Sequence, residues 1–279
     1  MSPRGTADRG RLGLRGLRLS MAAPAPAGGL VSEWRLVDGI STHCRRGSNA
    51  GTSRPPVLLV HGLAVSHRYL SPLASALAVD HDVYVPDLPG FGLSGAPRTV
   101  YDAHRHADHL AAWLGAYGLG GVCVLGHSFG AEVAAALAAR HPGTVGALVL
   151  AGAIADPRAR TPWGQFRRFL RDAPREPLLQ VPILLRDVWD AGPARVHRTL
   201  ELATAHPIEV DLLRLDCPTL ILTGGRDPLV PPAWRAELGR IVPDARVVTV
   251  PGVAHNVVTS AAAETAAAVR AFLQPTRIR

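Results

Sequence analysis

The sequence predicts an α/β protein: a mostly parallel central sheet with helices on both faces and an inserted helical cap. Three observations predict it. Short apolar runs alternate with stretches of helical period from residue 57 to 151. The alternation stops over 153–215, where amphipathic segments are broken by Pro162, Pro174, Pro177, Pro182, Pro193 and Pro207. It resumes after 216 and runs to the C-terminus. The chain has 279 residues, enough for one large core. The expected organisation is a leader over 1–30, a core built from 31–152 and 216–279, and a cap over 153–215.

Each element has its own reason. Trp34–Val37 and Ile40–Cys44 flank Asp38-Gly39, the signature of a tight hairpin. Val57–Val60 is continuously apolar, as a strand buried on both faces must be. A helix is expected over 67–79, a strand over 82–86, and a helix over 101–117 with Leu110, Trp113 and Leu114 on one side. Strand 122–125, helix 131–140 ended by Pro142, and strand 147–151 follow. Beyond the interruption come strand 219–223, a helix near 232–240, strand 246–250 and an Ala-rich helix over 260–273.

Composition excludes several chemistries. All 30 basic residues are arginine, so a Schiff-base lysine and a Walker A lysine are absent. Cys44, Cys123 and Cys217 are too scattered for a disulfide framework, and no CxxC pair suggests zinc. No apolar run approaches the roughly 18 residues of a membrane span. The net charge of +8 raises nucleic acid as a partner. However, Arg4, Arg9, Arg11, Arg15 and Arg18 against Asp8 place +4 of it in the first twenty residues. Elsewhere carboxylates interleave with arginines. The expectation is therefore a small-molecule substrate, no nucleic acid, no membrane partner, no cofactor and no metal. The arginines of the leader leave no apolar stretch for a signal peptide. The sequence leaves open whether translation starts at Met1 or Met21; the preferred reading is that the first twenty residues precede the native start. A cytoplasmic location follows by default.

The most informative segment is Gly126-His127-Ser128-Phe129-Gly130, between a predicted strand and a predicted helix. A turn that sharp brings the positions two before and two after the serine together, hence glycine at both. It lifts the hydroxyl above the sheet edge and aims a helix N-terminus at it.

Four further motifs stand in order along the chain: His61-Gly62 after a strand, Pro86-Asp87-Leu88-Pro89-Gly90-Phe91-Gly92-Leu93-Ser94, Gly224-Gly225-Arg226-Asp227-Pro228, and Pro251-Gly252-Val253-Ala254-His255-Asn256. With the serine turn they make the chain resemble the α/β-hydrolase fold family, from about residue 31 to the C-terminus. The resemblance implies a serine nucleophile, an acid and a histidine in that chain order.

The residue types support the same chemistry. Serine needs a base within hydrogen-bond reach. His255 follows the last predicted strand, and imidazole can take and return a proton near neutrality. Asp227, also after a strand, would fix its tautomer; Asp156 is the alternative acid. The backbone N–H groups of Leu63 and Phe129 would hold an oxyanion. The cap aromatics Trp163, Phe166 and Trp189, with His61 and Gly62, are the expected substrate pocket. His104, His106 and His109 invite a metal reading, but solvated helix histidines are expected instead.

The resemblance implies an acyl-enzyme that cleaves an ester, thioester or lactone bond of a medium-sized, largely apolar small molecule. Relatives that are epoxide hydrolases and haloalkane dehalogenases use aspartate where this chain has Ser128. The alternatives are carbon–carbon bond hydrolysis or other non-ester chemistry on the same residues, or a low-turnover ligand-binding or biosynthetic accessory protein.

Overall fold

The computed structural model describes residues 29–49 and 52–274. The leader reading therefore falls almost wholly on residues outside those described. Its last residue does not: Leu30 is 1% exposed and packs in the core, so the core begins before 31.

Ten helices and eight strands follow one another among the described residues. Strands β1 (Val31–Val37) and β2 (Ile40–Gly47) form the predicted hairpin, with Val37 opposite Ile40. Asp38 (φ 48°) and Gly39 (φ 75°) take the left-handed values such a two-residue turn demands. Then come β3 (Val57–Val60), α1 (His67–Leu77), β4 (Val83–Pro86), α2 (Ala103–Ala116), β5 (Val122–His127), α3 (Phe129–Arg140) and β6 (Val145–Ala151). The inserted stretch carries α4 (Pro162–Asp172), α5 (Val181–Ala191), α6 (Pro193–Ala205) and α7 (Ile208–Leu212), with single 3-10 turns between. The chain closes with β7 (Thr219–Gly224), α8 (Pro232–Ile241), β8 (Ala245–Val250), α9 (Val257–Ser260) and α10 (Ala262–Leu273).

The sheet order is β1-β2-β4-β3-β5-β6-β7-β8. Pairings from β4 through β8 are parallel and joined by helical crossovers, while β1 and β2 are antiparallel at one end. Alternation along each strand supplies two cores. Leu58 and Val60 face α2 and α3 with Trp113 and Leu110; Val57 and Leu59 face α1 and α10 with Leu70 and Leu77. Both faces are covered, which is why β3 reads as an unbroken apolar run. Cys123 sits in this packing, its thiol pushed up to about 12 by burial.

Two departures from the sequence reading have local causes. Helix α3 starts at Phe129, two residues earlier than its apolar period suggests, because Ser128 (φ 56°) is itself the reversal that opens it. The last helix is two, broken at Ala261 (φ −136°).

Candidate active site

All five loops singled out from the sequence, the Pro86–Ser94 loop after β4 included, leave the carboxyl ends of parallel strands, the edge where open α/β sheets hold ligands. The loop after β3 carries His61, Gly62 and Leu63; the one after β5 carries Ser128; those after β7 and β8 carry Asp227 and His255.

The glycines of the elbow are dictated by space. A Cβ at Gly126 would overlap the Gly130 carbonyl, and one at Gly130 would overlap the carbonyls of Val60 and His61. Of residues 126–130 only Ser128 is not buried. Its φ of 56° is one of three positive values among the described non-glycine residues, and its N–H is anchored to the Ala151 carbonyl at 2.9 Å.

Asp227 and His255 form a buried pair. The imidazole Nδ1 donates to Asp227 Oδ2 at 2.9 Å, and both residues are 6% exposed. The other carboxylate oxygen accepts from the N–H groups of Leu229 (2.7 Å) and Val230 (3.2 Å). Burial would raise the Asp227 carboxyl, but the facing imidazole and these donors hold it below the usual carboxylate range. Burial would also lower His255; Asp227, aided by Asp172 and Glu176, outweighs it and raises the imidazole above its ordinary 6.5. The remaining nitrogen, Nε2, is buried and has no partner among the described residues.

The serine and histidine are neighbours through two intermediaries. The His127 ring, beside Ser128, lies 4.8 Å from the His255 ring. Gly152 follows Ala151, the acceptor of the Ser128 N–H, and a Cβ there would sit 2.9 Å from His255 Cε1. No hydrogen bond joins Ser128 to Nε2 among the described residues. A Cβ on Gly62 would lie 3.1 Å from the serine Cβ, so any side chain there would crowd the serine. Among the described residues the N–H groups of Leu63 and Phe129 donate to no protein acceptor.

Asp156 is engaged elsewhere. It accepts from Arg168 at 2.6 Å and from the Arg158 N–H at 3.0 Å, and makes no bond to His255. His61 lies behind the loop rather than in a pocket: fully buried, it donates from Nδ1 to the Gly62 carbonyl and accepts the Leu88 N–H at Nε2. Trp163, Phe166 and Trp189 are 65%, 43% and 82% exposed, so they are not the cap's own core; the buried positions of the two cap helices go to Gln165, Asp172 and Asp187.

Three residues were not legible as part of this site. Tyr69, on α1, accepts the Gly62 N–H at 2.9 Å and bonds His127 Nδ1 at 2.8 Å. His127 Nε2 then donates to the His255 carbonyl at 3.1 Å. Burial keeps that histidine neutral, lowering it to about 3. One thread of hydrogen bonds thus ties the loops after β3, β5 and β8. From the cap, Asp172 accepts the His255 N–H at 3.2 Å, with its carboxyl raised to about 6 chiefly by burial, and Glu176 accepts the Asn256 N–H at 2.8 Å. The carboxylates at 172 and 176 stand one helical turn apart in sequence, a signal visible only once the partner loop is known.

The solvated-histidine expectation fails for two residues. His106 and His109 are buried; His106 packs edge-on against Phe129 and Tyr101, and His109 bonds Thr42 at 2.9 Å. Two clusters have metal-ligand spacing: His43, His67 and Asp87, and His104, His206 and Asp211. In the first, Asp87 already accepts from both imidazoles and from the N–H groups of His67 and Leu93. Two surface depressions, one by Gly121 and Pro218 and one by Thr99 and Arg105, contain no member of the site.

Comparison with known proteins agrees with this architecture. Residues 55–182 match the family model described as alpha/beta hydrolase fold, and 188–278 match one described as TAP-like protein. The chain belongs to the α/β-hydrolase family of enzymes. Among its relatives is polyketide synthase ThaQ of Burkholderia thailandensis, 29% identical over 90% of this chain; the match spans 13% of that protein's length. A pimeloyl-[acyl-carrier protein] methyl ester esterase of Neisseria meningitidis is 28% identical, covering 78% of this chain and 92% of its own. The crystal structure of a membrane phospholipase A superposes with a TM-score of 0.77 at 26% identity, covering 90% of this chain and 88% of that one.

Proposed function

We propose that this hydrolase-family enzyme cleaves an ester, thioester or lactone bond of a medium-sized, largely apolar small molecule through an acyl-enzyme on Ser128. The observation that carries the proposal is a strained, solvent-reachable serine and a buried imidazole on neighbouring loops of one sheet edge. That imidazole is fixed by Asp227 at Nδ1 and free at Nε2.

His255 Nε2 accepts the hydroxyl proton as Ser128 Oγ bonds to the carbonyl carbon. The N–H groups of Leu63 and Phe129 hold the oxyanion, each worth roughly 3–4 kcal/mol in comparable sites. The intermediate collapses by expelling the alcohol or thiol, which takes the proton from His255. Water then repeats the sequence and frees the acid. Asp227 holds the tautomer and stabilises the imidazolium. The esterase relative supports the ester reading.

The test is a sulfonyl fluoride, mapped by mass spectrometry, together with nitrophenyl esters, thioesters and lactones graded by acyl length. An adduct on Ser128 with turnover of part of the panel is expected. An adduct without turnover would favour a ligand-binding protein, and no adduct would end the proposal.

A further inference from the structure

Residues 162–190 of the cap sort their side chains in an unusual way. Most large apolar groups and four of the five arginines are exposed, while two of the four carboxylates are buried and only Asp190 is exposed. On α5, Val181, Leu185 and Trp189 recur at every fourth residue and so share one face. They are 44%, 65% and 82% exposed, and Leu178 and Leu179 just before them are 83% and 87% exposed. On α4, Trp163, Phe166 and Leu170 form a second outward row, its two rings 5.7 Å apart.

The charges follow the same division. Arg167, Arg171, Arg175 and Arg186 are exposed. Of the four carboxylates in the stretch, Asp172 and Asp187 are buried, bound to the His255 N–H and to Ser66 with Arg68. Glu176 accepts from Asn256, and Asp190, exposed, is held by Arg68 at 3.2 Å. A soluble surface normally scatters single apolar residues among charges of both signs. Apart from Asp190, which lies 3.8 Å from Arg186, this one couples an apolar relief to cations.

We infer that the α4–α5 face of the cap docks on an anionic phospholipid surface. Tryptophan and leucine enter the boundary between headgroups and acyl chains, while the arginines meet lipid phosphates. Among the described residues no helix is long and apolar enough to cross a membrane, and the docking needs none. The sequence-based expectation of no membrane partner rested on the length of apolar runs. That criterion speaks only to spanning.

The experiment is co-sedimentation of the full chain with vesicles of phosphatidylcholine alone or mixed with phosphatidylglycerol. Tryptophan emission and sedimentation velocity are followed in parallel. The protein is expected to bind the anionic vesicles at least about tenfold more tightly than the neutral ones, with a blue shift on binding and weakening by salt. Replacing Leu178, Leu179 and Leu185 by serine should weaken vesicle binding by about tenfold or more, while leaving the circular dichroism and the turnover of a soluble ester unchanged. Replacing the four arginines by glutamine should remove the anionic preference, at about fivefold per residue.

The inference is overturned if the protein stays in the supernatant with every vesicle, or if the leucine variant binds like the parent. It is also overturned if the leucines instead drive self-association without lipid, or capture of an acidic protein while vesicles are ignored. Vesicle binding, tryptophan emission and sedimentation do not depend on Ser128, so the functional proposal stands or falls separately.

Discussion

The rim of the sheet and the cap solve opposite packing problems. In the core the largest side chains are fully enclosed: Trp113, Trp234, Phe91 and Phe129 are all under 2% exposed. In the cap helices α4 and α5 the only buried residues are Gln165, Asp172 and Asp187, while Trp163, Leu170, Leu185 and Trp189 face solvent. The core is held by apolar burial. The cap is fastened by polar hooks: Asp187 to Ser66, Asp172 to the histidine loop, Arg168 to Asp156 and to the Leu229 carbonyl. A rigid rim and a hooked lid suit a site whose chemistry needs fixed geometry under a cover that can be displaced.

The largest effect should come at the rim. Ser128→Ala is expected to lower kcat by about 10⁴–10⁶-fold with no change in the melting temperature beyond a few degrees, read from ester turnover and calorimetry. Retained activity would move the chemistry away from the elbow.

A slightly smaller effect should follow Asp227→Asn, roughly 10⁴-fold in kcat. In the parent, activity should fall as pH drops through an apparent pKa above 6.5, because His255 must be neutral to accept the proton and its imidazole is raised. A profile flat from about pH 5 to 8 would contradict that role.

Stability gives the next contrast. Asp87→Ala should cost about 3–5 kcal/mol in denaturant titration, since it strips acceptors from two imidazoles and two backbone N–H groups. Its carboxyl is held well below the usual range: burial opposes this, and His67 and His43 prevail. The stabilisation is therefore present above the unfolded carboxyl pKa and lost as pH falls through the folded one. The variant should show less acid sensitivity than the parent.

Tyr69→Phe should cost about 1–3 kcal/mol by leaving the Gly62 N–H and His127 unpaired, with a lower kcat because both flank the serine. Smallest of all, Leu179→Ser on the cap should move stability by no more than about 0.5 kcal/mol. A large loss there would mean the exposed row is part of the fold after all.

How much could be read in advance follows the same division. The strands β3 to β7 were legible because burial on both faces leaves apolar runs, β8 at the edge because of its β-branched residues, and the elbow because its glycines are forced by overlap with backbone. Asp227 and His255 were legible from their loops. Tyr69 was not, since it sits on α1 where its apolar ring satisfies the helix period and nothing marks its hydroxyl. His106 was misplaced because helical phase puts it near His109 without saying which side the sheet takes. The anchors of the cap were the least legible: the buried positions of its first two helices go to Gln165, Asp172 and Asp187, polar residues whose partners lie far away in sequence.

Gly152 shows how narrow the margin around the imidazole is. It holds a left-handed φ of 59°, and its bare Cα is the floor on which the His255 ring rests. A side chain there would meet the ring and strain the backbone at once, so the imidazole's seat depends on one residue that is nothing but main chain.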